Sequence, residues 1–279
     1  MSKLKLLLVV IGIVFSALLI KGYSLYSAIT PNAISYWAVS DKSNKQQIDH
    51  TLWQTILDGY LVEIKTEGVR AFNYAQVTQA DKKALKDYLQ QLESIDPRTL
   101  NKNEQLSFWV NLYNALTIDV VLDHYPVTSI KDIGDGITGP WNMELLTIAG
   151  QPITLNQIEH KILRPIWQDP RIHYVINCAS VGCPDLPNMA FSSENVDSQL
   201  NKAATRFINQ TKAVDINNNQ LKLSSIYSWF SQDFGNNQAE LIQHIQTFAK
   251  PALRSQLKAI ASDKNSSINF DYDWKLNAP

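Results

Sequence analysis

Residues 101–125, NKNEQLSFWVNLYNALTIDVVLDHY, constrain the fold more than any other stretch. Phe108, Trp109, Val110, Leu112, Tyr113, Leu116, Val120, Val121 and Leu122 cover most of the circumference of a helix. A helix that is apolar all round has to be buried, so the chain must wrap its other elements around this one until Pro126 ends it. The means are there: 279 residues, 45% apolar and 18% charged, make a globular composition with ample material for a core. Ser107, Asn111 and Asn114 fall at i, i+4 and i+7 and share one stripe of the same helix. A buried amide without a hydrogen bond costs roughly 1–3 kcal/mol. The stripe therefore either pins a neighbouring loop or lines a site.

The rest of the chain supplies the wrapping. Ile48, Leu52, Ile56 and Leu57 recur at helical spacing in QIDHTLWQTILDGYLVEI, and TQADKKALKDYLQQLESI follows with Thr78 placed as its N-cap. MELLTIAGQPITL reads as a hairpin about Gly150, and AVDINNNQLKLS as a second with its turn in the Asn run. Asn156 is expected to cap a helix with Glu159 at N3. IHYVIN reads as a short strand, Ser193 as the start of another helix, and INFDYDW as a last strand after two helices broken at Pro251. No linker is evident after residue 45. The expectation is one mostly helical α+β domain, residues 46–279, with a small antiparallel sheet.

Ahead of it, Lys3 and Lys5 precede an uncharged apolar run from Leu6 to Ile20. This is the pattern of an export signal. The run covers about 22 Å of helix against a bilayer core of ~30 Å, a gap that residues 22–29 could close. Residues 1–29 are thus expected to be a cleaved signal peptide or an uncleaved membrane anchor. Residues 30–45 read as a polar tether, with the body periplasmic or otherwise outside the cytoplasm. A net charge of −1, with no basic run, gives no reason to expect nucleic acid.

The chain's only two cysteines lie in RIHYVINCASVGCPDLP, residues 171–187. In an exported protein, cysteines five apart often pair. The alternatives are a pair of inert thiols, or a reactive Cys178 whose thiolate is stabilised by His173 or His160. On a helical wheel Glu159 shares the apolar face of Ile158, Ile162, Leu163 and Ile166, while His160 and Arg164 fall outside it. An inward carboxylate needs a partner: a backbone N–H at the helix start, or a histidine that it orients. One Cys-x4-Cys with scattered histidines lacks the spacing of a zinc site. Neither metal nor cofactor is expected.

At FWVNLYNALTIDVVLDHYP (108–126), IEHKILRP (158–165), RIHYVINCASVGCPDL (171–186) and YDWKLN (272–277), the chain resembles the family called domain of unknown function 547. Bacterial members of that family are often exported. A kinship with papain-like and transglutaminase-like cysteine hydrolases goes with the resemblance. It implies that Asn111, Asn114, Glu159, His160 and Cys178 occupy motif positions, with His173 close by. Plant relatives carry Ser-Ser at Gly182-Cys183, which implies that Cys183 is the less essential cysteine.

Two functions follow. One is thiol-dependent hydrolysis or acyl transfer on an amide or ester. Cys178 would be the nucleophile, His173 the preferred base with His160 its rival, Glu159 the orienting group, and Asn111 or Asn114 the oxyanion donor. The other is a non-catalytic exported module with a Cys178–Cys183 bridge that binds a small molecule or peptide. An uncleaved N-terminus would add the membrane as a partner.

Overall fold

The structure, a computed structural model, describes residues 31–64, 68–134, 139–217, 220–262 and 267–279. The expected export or anchor helix lies outside them. Among the described residues, no helix is long and apolar enough to cross a membrane.

The long buried helix is observed at Lys102–His124, capped by Asn101, whose side chain accepts from the N–H groups of Asn103 and Glu104. Numbered in chain order, it is the third helix. Helix α1 (Thr51–Tyr60) packs on α2 (Gln79–Glu93), and α2 packs on the long helix, α3. Thr78 caps α2 as expected, accepting from the Asp81 N–H. α1 is shorter than its pattern: it stops at Tyr60, and Leu61–Ile64 becomes strand β1, paired antiparallel with β2 (Val69–Phe72). The β-branched Val62 and Ile64 favour the pleated partner over another helical turn, and Leu52 is left exposed.

The hairpin β3 (Leu146–Ile148) and β4 (Gln151–Ile153) turns at Ala149 and Gly150, both with positive φ, as a two-residue hairpin loop requires. Helix α4 follows, built from Leu155–Gln157, Ile158–Leu163 and Arg164–Trp167 in continuous succession. Its cap is Thr154, in a capping box with Gln157, not Asn156 with Glu159. The frame is two residues earlier than the sequence suggested. IHYVIN is not a strand. Asp169 caps a 3-10 turn over Pro170–Tyr174. The carbonyl of Val175 and the N–H of Asn177, which a strand neighbour would claim, are held by the Asn114 side chain.

Helix α5 (Val196–Ile208) leads to β5 (Val214–Asn217), β6 (Gln220–Ser224), the short helices α6 (Ile226–Trp229) and α7 (Ser231–Phe234), then α8 (Gln238–Phe248), α9 (Pro251–Ser262) and β7 (Ser267–Asp271). β5 pairs antiparallel with β6, but β7 lies parallel to β6, because the helices between them carry the chain back to the start of the sheet. The architecture is α+β and mostly helical, with one mixed sheet beside the antiparallel hairpins.

Two hydrophobic clusters result. One surrounds α3 and the other joins the sheet to α6–α9. α5 serves both, giving Leu200 to the first and Phe207 and Ile208 to the second. The segment expected as a tether is packed from Asn32 onward: Trp37 is buried edge-on to Trp109 at 5.1 Å, and Tyr36 donates to the Ala149 carbonyl at 2.9 Å.

Candidate functional site

The site lies in the seam between the two clusters and starts from a defect in α4. Residues Ile158–Leu163 form a π-helix, in which the N–H of Arg164 reaches back five residues to the Glu159 carbonyl. Such turns are rare and concentrate at functional sites. A wider turn also breaks the 100° wheel. Glu159, His160 and Arg164 are all buried, although the wheel put the last two outside. The carbonyls of His160 and Lys161 accept from the N–H groups of Asn32 (3.4 Å) and Ile34 (3.0 Å).

A chain of polar contacts crosses the seam from there. The Tyr113 hydroxyl donates to Glu159 Oε2 at 3.1 Å, and Glu159 Oε1 lies 3.7 Å from His160 Nδ1. The same Nδ1 accepts from Arg164 Nη1 at 2.9 Å. Arginine is always a donor, so the His160 ring is neutral with its hydrogen on Nε2. Arg164 Nε and His173 Nε2 both meet Asp233 Oδ2, at 2.5 and 2.7 Å. The Phe230 ring packs against all three cationic or imidazole groups: His173 stacked at 4.6 Å, Arg164 at 4.6 Å and His160 at 5.5 Å.

Burial sets the electrostatics. It raises the Glu159 carboxyl to about 7, against the opposing pull of Arg164 and Tyr113. It pushes His160 well down, with Arg164 and His173 adding to the effect. His173 is also lowered by burial, despite its bond to Asp233. Burial works against ionisation of Asp233 too, but hydrogen bonds from His173 and Arg164 hold its carboxyl at about 2. The seam thus contains an ionised aspartate, a cation, two neutral imidazoles and one carboxyl balanced near neutrality.

The cysteine loop forms the opposite wall. Asn114 clamps it, donating to the Val175 carbonyl (2.8 Å) and accepting from the Asn177 N–H (2.9 Å). Asn177 in turn donates to the Pro184 carbonyl and accepts from the Ala179 N–H. Ala179 has φ +58°, a left-handed conformation costing about 1–2 kcal/mol for a residue with a Cβ. It is held by that bond and by Asn277 donating to its carbonyl. Cys178 and Cys183 are joined in a disulfide, with Cα atoms 6.1 Å apart. The Tyr272 hydroxyl touches both sulfurs, at 2.9 and 3.2 Å. Gly182 lets the tail pass: a Cβ there would lie 2.9 Å from the Asp273 nitrogen. Below the loop, buried Asp185 binds Lys212 and Arg206, at 2.8 and 2.6 Å, while Lys212 also donates to the Cys183 carbonyl.

The expected site residues therefore divide. Glu159 and His160 come together, and Arg164 and Asp233 link them to His173. Cys178 stands apart: among the described residues its sulfur meets Cys183, Tyr272 and Ser180, and no imidazole. Glu159 lies beside His160, not beside the preferred base His173, whose partner is Asp233. Asn111 exchanges two hydrogen bonds with the Phe191 backbone. Both amides of the stripe thus clamp loop backbone. Among the described residues, no group of three His, Cys, Asp or Glu side chains could hold a metal ion.

Sequence reasoning missed Asp233, Tyr113 and the aromatic tail. Asp233 is a lone acid in SWFSQDFG, and no spacing ties it to His173. Tyr272 and Trp274 were visible as part of YDWKLN, but nothing local says that the tail returns to the cysteine loop. It does so through Val181 and Gly182 donating to the Lys275 and Asp273 carbonyls.

No curated protein and no solved structure matches the chain. Residues 97–208, from just before α3 to the end of α5, match the family described as Protein of unknown function, DUF547, which supports the family resemblance carried by the motifs within that stretch.

Proposed function

We propose that this protein is a non-catalytic binding module that works outside the cytoplasm, with its ligand site in the seam above Glu159. The observation that carries the reading is the Cys178–Cys183 disulfide, with Tyr272 against both sulfurs and no imidazole among the partners of Cys178. A bridged sulfur is not a nucleophile, and a structural disulfide suits an oxidising compartment. The basic-then-apolar N-terminus supports the same location and makes the membrane a partner if the segment is retained. The test is the mass of the alkylated full-length protein with and without reductant. Both cysteines should resist alkylation until reduced. Selective labelling of Cys178 near neutral pH, without reductant, would overturn the reading.

A second reading, thiol-dependent acyl chemistry after reduction, has one observation in its favour. Glu159, poised near neutrality, lies 3.7 Å from the neutral ring of His160. His160 then replaces His173 as the base, since Asp233 already engages His173 Nε2. The kinship with papain-like and transglutaminase-like hydrolases belongs to this reading. An activity-based thiol probe that labels reduced wild-type protein but not Cys178→Ser would support it.

A further inference from the structure

Beneath the cysteine loop, a cavity of about 280 Å³ opens between α5, β2 and residues 185–188. α5 presents one stripe to it: Gln199, Lys202, Ala203 and Arg206, at i, i+3, i+4 and i+7. Arg70 of β2 forms another wall, and Pro187, Ala203 and Phe207 supply an apolar lining.

Positive charge is gathered here and left in excess. Glu63 holds two guanidiniums side by side, its Oε2 3.2 Å from Arg70 Nε and its Oε1 2.8 Å from Arg206 Nη2. Burial and the neighbouring Arg206 charge push the Arg70 guanidinium down. Lys202 lies one helical turn from Arg206, and like charges at that spacing destabilise a helix. Lys202 forms no ion pair among the described residues. The one carboxylate that lines the cavity has no capacity to spare. Asp185 is 6% exposed, and its oxygens already accept from Lys212, Arg206, Gln210 and the Arg70 N–H, at 2.8, 2.6, 2.7 and 3.1 Å. Arg70, Lys202, Arg206 and Lys212 together exceed Glu63 and Asp185 by two charges. The terminal nitrogens of Arg70 make no hydrogen bond among the described residues, although only 18% of that side chain is exposed.

We propose that this cavity binds a small organic dicarboxylate, with one carboxylate on the guanidiniums of Arg70 and Arg206, the other at Lys202, and the carbon frame on Pro187, Ala203 and Phe207. The site shares none of Glu159, His160, Arg164, His173 and Asp233, so the inference goes beyond the seam and holds whatever occupies it. Three features select the ligand. Planar guanidinium forks match carboxylates through paired hydrogen bonds. An excess of two positive charges favours a divalent anion. The apolar lining favours a carbon frame over an inorganic oxyanion, which would press polar oxygens against hydrocarbon. The size agrees: at ~30 Å³ per water the space equals about nine waters, the scale of a diacid of about four to six carbons.

The test uses the full-length protein near neutral pH and at low ionic strength. Succinate and adipate are titrated by calorimetry, with butyrate, succinamide and sulfate as controls. At least one diacid should bind with a Kd below about 10 mM, and every control should bind at least about fivefold more weakly than that diacid. Lys202→Ala, at an exposed position, should weaken diacid binding about fivefold and leave the thermal midpoint unchanged. Arg70→Lys keeps the charge but loses the fork, and should weaken it about tenfold. The first variant keeps the test valid if the second perturbs packing. A Kd above about 10 mM for both diacids, any control within about fivefold of the better diacid, or undiminished affinity in Lys202→Ala would overturn the proposal.

Discussion

Replacing Asn114 with leucine tests the idea that one buried amide holds the cysteine loop in place. The side chain makes two hydrogen bonds, 2.8 Å to the Val175 carbonyl and 2.9 Å from the Asn177 N–H. All three residues are buried, at 2%, 0% and 2% exposure, so water cannot replace the lost partner. Each orphaned backbone group costs roughly 1–3 kcal/mol. Added together they come to about 4 kcal/mol, less about 1 kcal/mol returned by the more apolar leucine. The expected loss of about 3 kcal/mol lowers the folded-to-unfolded ratio more than a hundredfold. Urea unfolding followed by tryptophan emission measures it. Ser107→Ala is the control: it lies on the same stripe, but its hydroxyl bonds only to the Asn103 carbonyl within α3, so it should lose less than about 1 kcal/mol. The clamp adjoins Cys178, so the variant's disulfide should also be reduced faster under native conditions. If Asn114→Leu costs no more than Ser107→Ala, the amide is not what holds the loop.

Four further outcomes are expected. Glu159 has its carboxyl pKa raised from 4.5 to about 7 in the folded state. As pH climbs between those values the unfolded chain ionises first, so stability falls by up to about 3 kcal/mol. Glu159→Gln should flatten that slope in pH-dependent denaturation. Asp233 has the opposite sign: held at about 2 against 3.8, it contributes stability that is lost as pH falls through that interval, and Asp233→Asn should remove this acid dependence. Cys178→Ala with Cys183→Ala opens a loop with a sequence separation of 5 and should cost about 2 kcal/mol in thermal or urea unfolding. Asp185→Ala should cost about 3 kcal/mol, because it removes the carboxylate partner of the largely buried Lys212 and leaves Arg206 with Glu63 alone; a loss under about 1 kcal/mol would mean that water already screens the cluster.

The scaffold was legible where a local signal and the tertiary structure agree. The all-apolar α3, the Thr78 cap and the Gly150 turn are short-range statements, and the fold had no reason to overrule them. The site was less legible, and for identifiable reasons. The capping frame slipped because Thr154 and Gln157 form a better reciprocal pair than Asn156 and Glu159. Residues 172–177 look like a strand because they are apolar and buried all round, but a strand needs a backbone neighbour, and here a side chain takes that place. The wheel failed at His160 and Arg164 because it assumes a uniform helix, and the π-helix lies over those residues. Asp233 and the aromatic tail reach the seam from more than 50 residues away in sequence, across a topology that includes a parallel pairing no local pattern announces.

The π-helix has a mechanical consequence. Asn32 and Ile34 hang by their amides on the carbonyls of the turn that carries Glu159 and His160. Tension that reaches Asn32 is passed to that turn through the two amides. The acid and its imidazole neighbour are therefore yoked to whatever the leading residues are fastened to, and a tug there is felt at once by the first hydrophobic cluster, which holds Ile158, Ile162 and Leu163 of the same turn.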